Sequence, residues 1–129
     1  MIAQGCSIRI ERNAQLNFGK NIYMNKNGFI YCADRINIGD NVLIGWNVNI
    51  RDNDGHDIYY DDGHKNTARP VNIGNHVWIA ADSSILKSSL GNDTVVASNT
   101  VVYKSFLDSN ILIGGQPVKI LKENIQWQI

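Results

Sequence analysis

The chain has 129 residues, with 12 Lys and Arg against 12 Asp and Glu, and 43% of its residues are hydrophobic. These values are typical of one soluble globular domain, and the zero formal charge provides no basic footprint for nucleic acid or an anionic membrane. No apolar run is long enough for a membrane span, and the N-terminus lacks a signal-peptide core, so we expect a cytoplasmic protein. Two cysteines, Cys6 and Cys32, are too few for a disulfide scaffold and are expected to be free thiols.

The composition favours strands over helices. The 18 Ile and 9 Val outnumber the 7 Leu and 7 Ala about two to one, and β-branched side chains fit a pleated surface. The 17 Asn and 11 Gly tolerate the positive φ angles that tight corners require. We therefore expect many short strands joined by sharp turns.

The first 35 residues show only a weak repeat. Ile10, Leu16 and Ile22 are spaced six residues apart, but this phase is lost before Ile38. The segment 1–35 is therefore predicted to form an irregular N-terminal coil.

A six-residue repeat follows and predicts regular coils over residues 36–53 and 71–106. Nine hexads begin at aliphatic residues: Ile38, Ile44, Ile50, Ile73, Ile79, Ile85, Leu90, Val96 and Val102. Neither a straight strand, with period two, nor a helix, with period 3.6, fits a period of six. A chain that turns a corner every six residues does fit, and three hexads then close one triangular coil of an all-β solenoid. Accidental spacing in an ordinary β-sandwich is the alternative, and nine phased hexads disfavour it.

A polar insertion interrupts the repeat over residues 51–70. It reads RDNDGHDIYYDDGHKNTARP, and a regular solenoid has no structural need for it. His56 is the candidate general base, because an imidazole with a near-neutral pKa can accept a proton and return it. His64 and His76 are weaker candidates. A solvated insertion with a bystander histidine is the competing interpretation.

The sixth hexad positions and the tail suggest an interface and a cap. Leu43, Trp78, Val95 and Val101 occupy sixth positions, which should point outward, and a large exposed apolar stripe is typical of an interface.

In the tail, residues 107–129, the near-helical spacing of Ile120, Leu121, Ile125 and Trp127 predicts a short helical segment that covers the last coil.

The hexads, together with RDNDGHDI, RPVNIGNHVWIAADSSIL and GGQPVKILKENIQW, resemble the hexapeptide-repeat acyltransferases. Within that family the segments are similar to O-acetyltransferases of capsule, lipopolysaccharide and exopolysaccharide synthesis and to galactoside and xenobiotic acetyltransferases. The similarity covers roughly residues 36 to 127. It implies a left-handed parallel β-helix, an acetyl-CoA donor, a sugar hydroxyl as acceptor and a homotrimer with active sites shared between subunits.

The resemblance also implies roles for individual residues. His56 matches the family's general base, and Asp52, Asp54 or Asp57 would orient its ring or bind the acceptor. Donor-binding positions are Trp78, Ala81, Ser98, Lys104 and Lys119, with the small residues allowing close approach of the pantetheine arm and the lysines, Lys122 included, facing the phosphates. The five-residue step from Ile85 to Leu90 departs from the family pattern.

Three other functions compete with this reading. The three histidines do not follow the ligand pattern of the zinc carbonic anhydrases that share the fold, so no metal is expected. N-acetylation of an amino sugar or a xenobiotic would use the same base and donor. A purely structural β-helix assembly is the alternative outside enzymes, and the insertion with His56 argues against it.

Overall fold

The structure, a computed structural model that describes residues 1–129, consists of short strands and contains no helix. The strands are β1 (Ser7–Ile10), β2 (Gln15–Phe18), β3 (Tyr23–Met24), β4 (Phe29–Cys32), β5 (Arg35–Ile38), β6 (Leu43–Ile44), β7 (Asn49–Arg51), β8 (Val71–Ile73), β9 (Trp78–Ile79), β10 (Ser84–Leu86), β11 (Val95–Val96), β12 (Val101–Val102), β13 (Ile111–Gly114) and β14 (Lys119–Glu123). No helix is present that is long and apolar enough to cross a membrane.

The strands form three sheets, which are the three faces of a triangular prism. Face 1 is the sheet β1-β4-β7-β10-β12, face 2 is β2-β5-β8, and face 3 is β14-β13-β11-β9-β6-β3. From β1 to β10, successive strands belong to faces 1, 2 and 3 in rotation, and in the last two turns isolated bridges at Leu90 and Phe106 take the place of strands on face 2. Every strand pairing is parallel except that of β13 with β14. Five turns are stacked, and the predicted left-handed parallel β-helix is confirmed.

The hexad repeat builds the core. All nine residues that begin the hexads are at most 3% exposed. They are register partners in adjacent turns: Ile44 is paired with Ile79, and Ile79 is paired with Val96. Each aliphatic side chain therefore stacks on its equivalent in the next turn and buries a continuous column.

Asparagine and glycine shape the corners, as the composition predicts. Twelve residues other than glycine have positive φ, and eight of them are asparagines. Gly45 is required for another reason: a Cβ there would lie 2.7 Å from the backbone nitrogen of Ala81 in the next turn. The corners therefore stack closely enough that backbone contacts backbone.

The first 35 residues differ from the prediction. Met24 and Ile30 are fully buried and align with Ile44 and Ile50, so they continue the hexad column. Ile10 is 51% exposed. The phase predicted from Ile10, Leu16 and Ile22 was wrong, because β4 and β5 are longer strands and place Ile30 and Ile38 eight residues apart. The segment 1–35 contains four strands.

The tail also differs from the prediction, because it contains two strands, β13 and β14, and no helix. β14 pairs antiparallel with β13, and residues 124–129, here called the strap, run back over the outside of face 3. Trp127 is 8% exposed and donates its indole N–H to the His76 carbonyl at 2.9 Å. The near-helical spacing reflects contacts of one extended segment with several turns.

The strap changes the interpretation of the outward stripe. Leu43, Trp78 and Val95 do form one row on face 3, but Val95 is only 7% exposed because the strap covers it. Val101 is 40% exposed and lies on face 1. The four residues are therefore not one exposed interface.

Candidate active site

The insertion leaves the prism between β7 and β8, at the corner between faces 1 and 2, and forms a short hairpin. Tyr59 and Lys65 form an antiparallel bridge, and the Tyr60 N–H donates to the His64 carbonyl at 2.8 Å. The apolar and aromatic side chains near its tip, Ile58, Tyr59 and Tyr60, are 49%, 73% and 51% exposed. The insertion is thus an ordered projection with an aromatic tip.

His56 lies at the start of this hairpin with its backbone held and its ring free. The Asn66 side-chain amide donates to the His56 carbonyl at 3.0 Å and to the Asp54 carboxylate at 2.7 Å. The imidazole is exposed and has no hydrogen-bond partner in the chain. An anchored backbone with a free imidazole suits a group that exchanges protons with a bound molecule.

Asp52 does not occupy the role predicted for it. Its side chain is fully buried, and its carboxylate accepts the backbone N–H groups of Ala33, Asp34 and Arg35 at 2.7 to 2.8 Å. The Asn53 amide donates a further hydrogen bond at 2.9 Å. Asp52 therefore caps the turn between β4 and β5, and its assignment as an acceptor-binding residue was wrong because no oxygen faces solvent.

Asp54 and Asp57 also have protein partners. Lys87 Nζ lies 2.8 Å from the Asp54 carboxylate, and its hydrogen bond, followed by that of Asn66, holds the Asp54 pKa below its ordinary value. Lys65 lies 3.5 Å from Asp57. Lys87 belongs to the next turn of the prism, and its side chain is only 14% exposed. The Asp54–Lys87 ion pair, here called the latch, therefore joins the hairpin to that turn.

The other two histidines lie in different environments. His64 pairs with Asp62 at 2.9 Å on the exposed hairpin. His76 lies at the corner between faces 2 and 3, where its Nδ1 is 2.8 Å from Asp93 and its ring stacks on Trp127 with centroids 4.0 Å apart. Neither imidazole is both free and anchored as His56 is. No group of three His, Cys, Asp or Glu side chains is arranged to hold a metal ion.

The residues predicted to bind the donor lie in three places. Ala81 and Ser98 occupy the corner between faces 3 and 1 in successive turns, where the Asn99 N–H donates to the Ala81 carbonyl at 3.0 Å. Trp78 is 37% exposed on face 3, with the Trp127 ring centroid 6.0 Å away. Lys104 is exposed beyond β12, at the same corner as the hairpin, and Lys119 is exposed on β14.

Within one chain these residues form two half-sites and no single cleft. The corner with Ala81 and Ser98, here called the donor corner, has small side chains that leave the backbone accessible to an extended ligand. The corner with His56 and Lys104, here called the base corner, carries the exposed imidazole that is the candidate base. Face 1 separates the two corners.

Two residues at the base corner were not found by sequence reasoning. Lys87 has a positive φ of 51° in the five-residue step from Ile85 to Leu90, and this irregularity was the available signal. Asn66 contacts residues ten and twelve positions earlier in the chain, a relation that no local pattern predicts.

Comparison with known proteins supports an acyltransferase fold. The polysialic acid O-acetyltransferase of Neisseria meningitidis is 38% identical over 127 residues, which cover 95% of this chain and 55% of that protein. The chain spans about half the length of the first curated relatives it matches. No family model matches the sequence.

Solved structures give the same result. A crystallographically analysed polysialic acid O-acetyltransferase superimposes with a TM-score of 0.93 at 37% identity, covering 98% of this chain and 62% of that one. A hexapeptide-repeat acetyltransferase from Vibrio cholerae in complex with acetyl coenzyme A has a TM-score of 0.76 at 25% identity, covering 94% of this chain and 66% of that one. With its nine buried hexads, the chain belongs to the hexapeptide-repeat acyltransferases.

Proposed function

We propose that the protein is an O-acetyltransferase that transfers acetyl from acetyl-CoA to a sugar hydroxyl in surface polysaccharide synthesis. The observation that carries this proposal is the free, exposed imidazole of His56 on a backbone anchored by Asn66. The named activity of the polysialic acid relatives and the acetyl-CoA complex of a structural neighbour support the acceptor and donor classes.

In this reaction, a neutral ring nitrogen of His56 accepts the proton of the acceptor hydroxyl as its oxygen attacks the thioester carbonyl. The resulting tetrahedral intermediate collapses, the carbon–sulfur bond breaks, and the imidazolium returns the proton to the departing thiolate. Both proton transfers use one imidazole, and the products are the sugar ester and free CoA. Since acetyl passes directly to the acceptor, no residue of the chain is acetylated.

The donor would lie along the donor corner. Ala81 and Ser98 present backbone groups with little side-chain obstruction, which suits an extended pantetheine arm. Lys119, exposed on β14, provides positive charge for the coenzyme phosphates, and Lys104 would do so from the base corner of the neighbouring subunit, while Trp78 contributes an aromatic wall. An acetyl-CoA donor and two free thiols, Cys6 and Cys32, fit a reducing compartment, the cytoplasm.

The separation of the two corners supports a homotrimer. If the base corner of one subunit meets the donor corner of the next around a threefold axis, each His56 faces a neighbouring donor site, and face 1 turns toward the axis. Face 1 also carries Val101, an apolar side chain that is 40% exposed and that a neighbouring subunit could cover.

Replacement of His56 tests the reaction. His56→Ala should lower kcat/KM for acetyl transfer to a sugar acceptor by about 10²–10⁴-fold, the usual contribution of a general acid–base group. The matched control is His64→Ala, an exposed histidine of the same hairpin, which should retain nearly full activity. Equal losses in both variants would rule out His56 as the base, as would normal activity of His56→Ala.

A further inference from the structure

The third corner of the prism, between faces 2 and 3, carries a cavity that neither half-site uses. Its volume is about 350 Å³. The cavity lies where the strap crosses the third, fourth and fifth turns, and the lining residues are His76, Asp93, Asn110, Gln126, Trp127 and Gln128. The side chains of all six residues are able to form hydrogen bonds, and Trp127 has the only large hydrocarbon ring among them.

The wall of this cavity is held in place by paired groups. His76 Nδ1 bonds Asp93 at 2.8 Å, its ring stacks on Trp127 with planes 7° apart, and its carbonyl accepts the Trp127 indole N–H. Because Nδ1 is engaged, Nε2 is the ring nitrogen with unused hydrogen-bonding capacity. A rigid imidazole is therefore presented with one nitrogen available.

The remaining polar groups have unused hydrogen-bonding capacity. The side chains of Gln126 and Gln128 have no hydrogen-bond partner in the chain, although each can donate two hydrogen bonds and accept two. Asn110 donates to the Ile125 carbonyl at a long 3.4 Å and leaves its Oδ1 free. Three amides and one imidazole nitrogen thus converge on one cavity.

The charges at the cavity restrict the class of ligand. No lysine or arginine lines it, so a phosphate or carboxylate ligand would find no counter-ion. Its single carboxylate, Asp93, is already bonded to His76. Closely spaced neutral donors and acceptors match the vicinal hydroxyls of a pyranose, and the volume suits a ligand of that size.

We propose that this cavity is a second saccharide site, which binds a neutral hexose unit away from the reaction centre. Binding of a hexose does not depend on the acetyl-transfer activity. Its consequence for catalysis rests on the proposed function: a site at another corner would hold a polymeric acceptor while a different unit of the same chain reacts. The effective concentration of the acceptor at the reaction centre would then be higher for a polymer, which is also held at the second site, and unchanged for a monosaccharide.

Binding can be measured directly with glucose and galactose tetrasaccharides as probes. In amide-detected NMR titrations, the side-chain amides of Gln126 and Gln128 and the Trp127 indole should shift. Gln126→Ala/Gln128→Ala should weaken binding at least tenfold, whereas Gln116→Ala, an exposed glutamine on the segment after β13, should not. His56→Ala should bind like the unmodified protein, which separates this proposal from the catalytic one.

Kinetics provides the second readout. The double glutamine variant should raise KM for a polysaccharide acceptor and leave kcat and the KM of a monosaccharide acceptor unchanged. The proposal is overturned if the tetrasaccharides shift none of these resonances, or if the double variant binds them as well as Gln116→Ala does. A loss of activity toward the monosaccharide would also contradict it, because the cavity would then belong to the reaction centre.

Discussion

Asp52 shows how the position of a carboxylate decides its role. It lies four residues before His56, yet both oxygens point into the prism and accept three backbone N–H groups of the preceding turn. Hydrogen bonds to a buried carboxylate are among the stronger ones in proteins, because the alternative is a buried donor without a partner. Asp52 therefore stabilises the corner from which the hairpin leaves.

Replacement of Asp52 should mainly reduce stability. Asp52→Ala leaves the three backbone N–H groups of residues 33–35 without their acceptor and should lower the free energy of unfolding by about 2–4 kcal/mol. The matched control is Asp57→Ala, whose exposed carboxylate makes only a 3.5 Å contact with Lys65, and which should change stability little. Thermal denaturation measures both. A normally stable Asp52→Ala with a raised acceptor KM would restore the substrate-binding role.

The sequence singles out His56 as the candidate base but does not separate Asp52 from the candidate site. A histidine in a polar interruption of a repeat stands out because the interruption has no structural purpose. The carboxylate of Asp52 instead bonds groups 17 to 19 residues away, on the preceding turn. Such a contact depends on how turns stack, and one polar run of several aspartates gives no local sign of it.

At the scale of the hairpin, the latch between Lys87 and Asp54 should control how well His56 is positioned. Lys87→Gln removes the charge partner and should reduce kcat about tenfold while the prism stays folded, since misplacement of a catalytic group by about 1 Å can cost more than that. Lys65→Gln is the matched control, because Lys65 makes the longer contact with Asp57 on the same hairpin. Faster hydrogen exchange in residues 54–66 of Lys87→Gln should accompany the loss.

The latch also has a predictable pH dependence. The folded pKa of Asp54 is lowered, so its contribution is present above the unfolded pKa and is lost as the pH falls through the folded value. Hairpin exchange in the unmodified protein should therefore increase only in acid, below about pH 4. Exchange rates in Lys87→Gln that match those of the unmodified protein at neutral pH would show that the hairpin does not need the latch.

The strands could be predicted from the sequence wherever each face of the prism takes up one hexad per turn. From Ile38 to Val102 a buried aliphatic residue begins every hexad outside the insertion. Strands of the N-terminal turns carry two inward residues each, such as Ile36 and Ile38 in β5. A six-residue repeat therefore does not identify the inward positions of these turns. In the tail, apolar spacing set by contacts with stacked turns resembles that of a helix, and only the pairing with β13 distinguishes the two.

At the scale of the whole molecule, the three faces differ in what covers them. Face 2 carries an outward asparagine ladder, in which Asn37 bonds Asn17 and Asn72 at 2.8 Å, as expected of a surface in water. Face 3 is partly covered by the strap. Face 1 has no such ladder or cover and carries the exposed apolar side chain of Val101. Face 1 is therefore the face best suited to contact other subunits.

Assembly through face 1 predicts a trimer that one charge should disrupt. Val101, which is 40% exposed on face 1, should not tolerate a buried carboxylate, so Val101→Asp should shift the sedimentation coefficient from trimer to monomer and abolish transfer. Tyr23→Asp, at 44% exposure on face 3, is the matched control and should stay trimeric and active. A Val101→Asp trimer with full activity would exclude this face.

Shared active sites can be tested separately by mixing two inactive variants. His56→Ala removes the base, and Ser98→Trp obstructs the donor corner, so each homotrimer should be inactive. In randomly mixed trimers, a site formed by the intact base corner of one subunit and the intact donor corner of the next should occur in about a quarter of positions. Recovery of about that fraction of activity is expected after the subunits are denatured and refolded together. If both half-sites belonged to the same chain, no mixture would regain activity, and the two corners would have to meet within one prism.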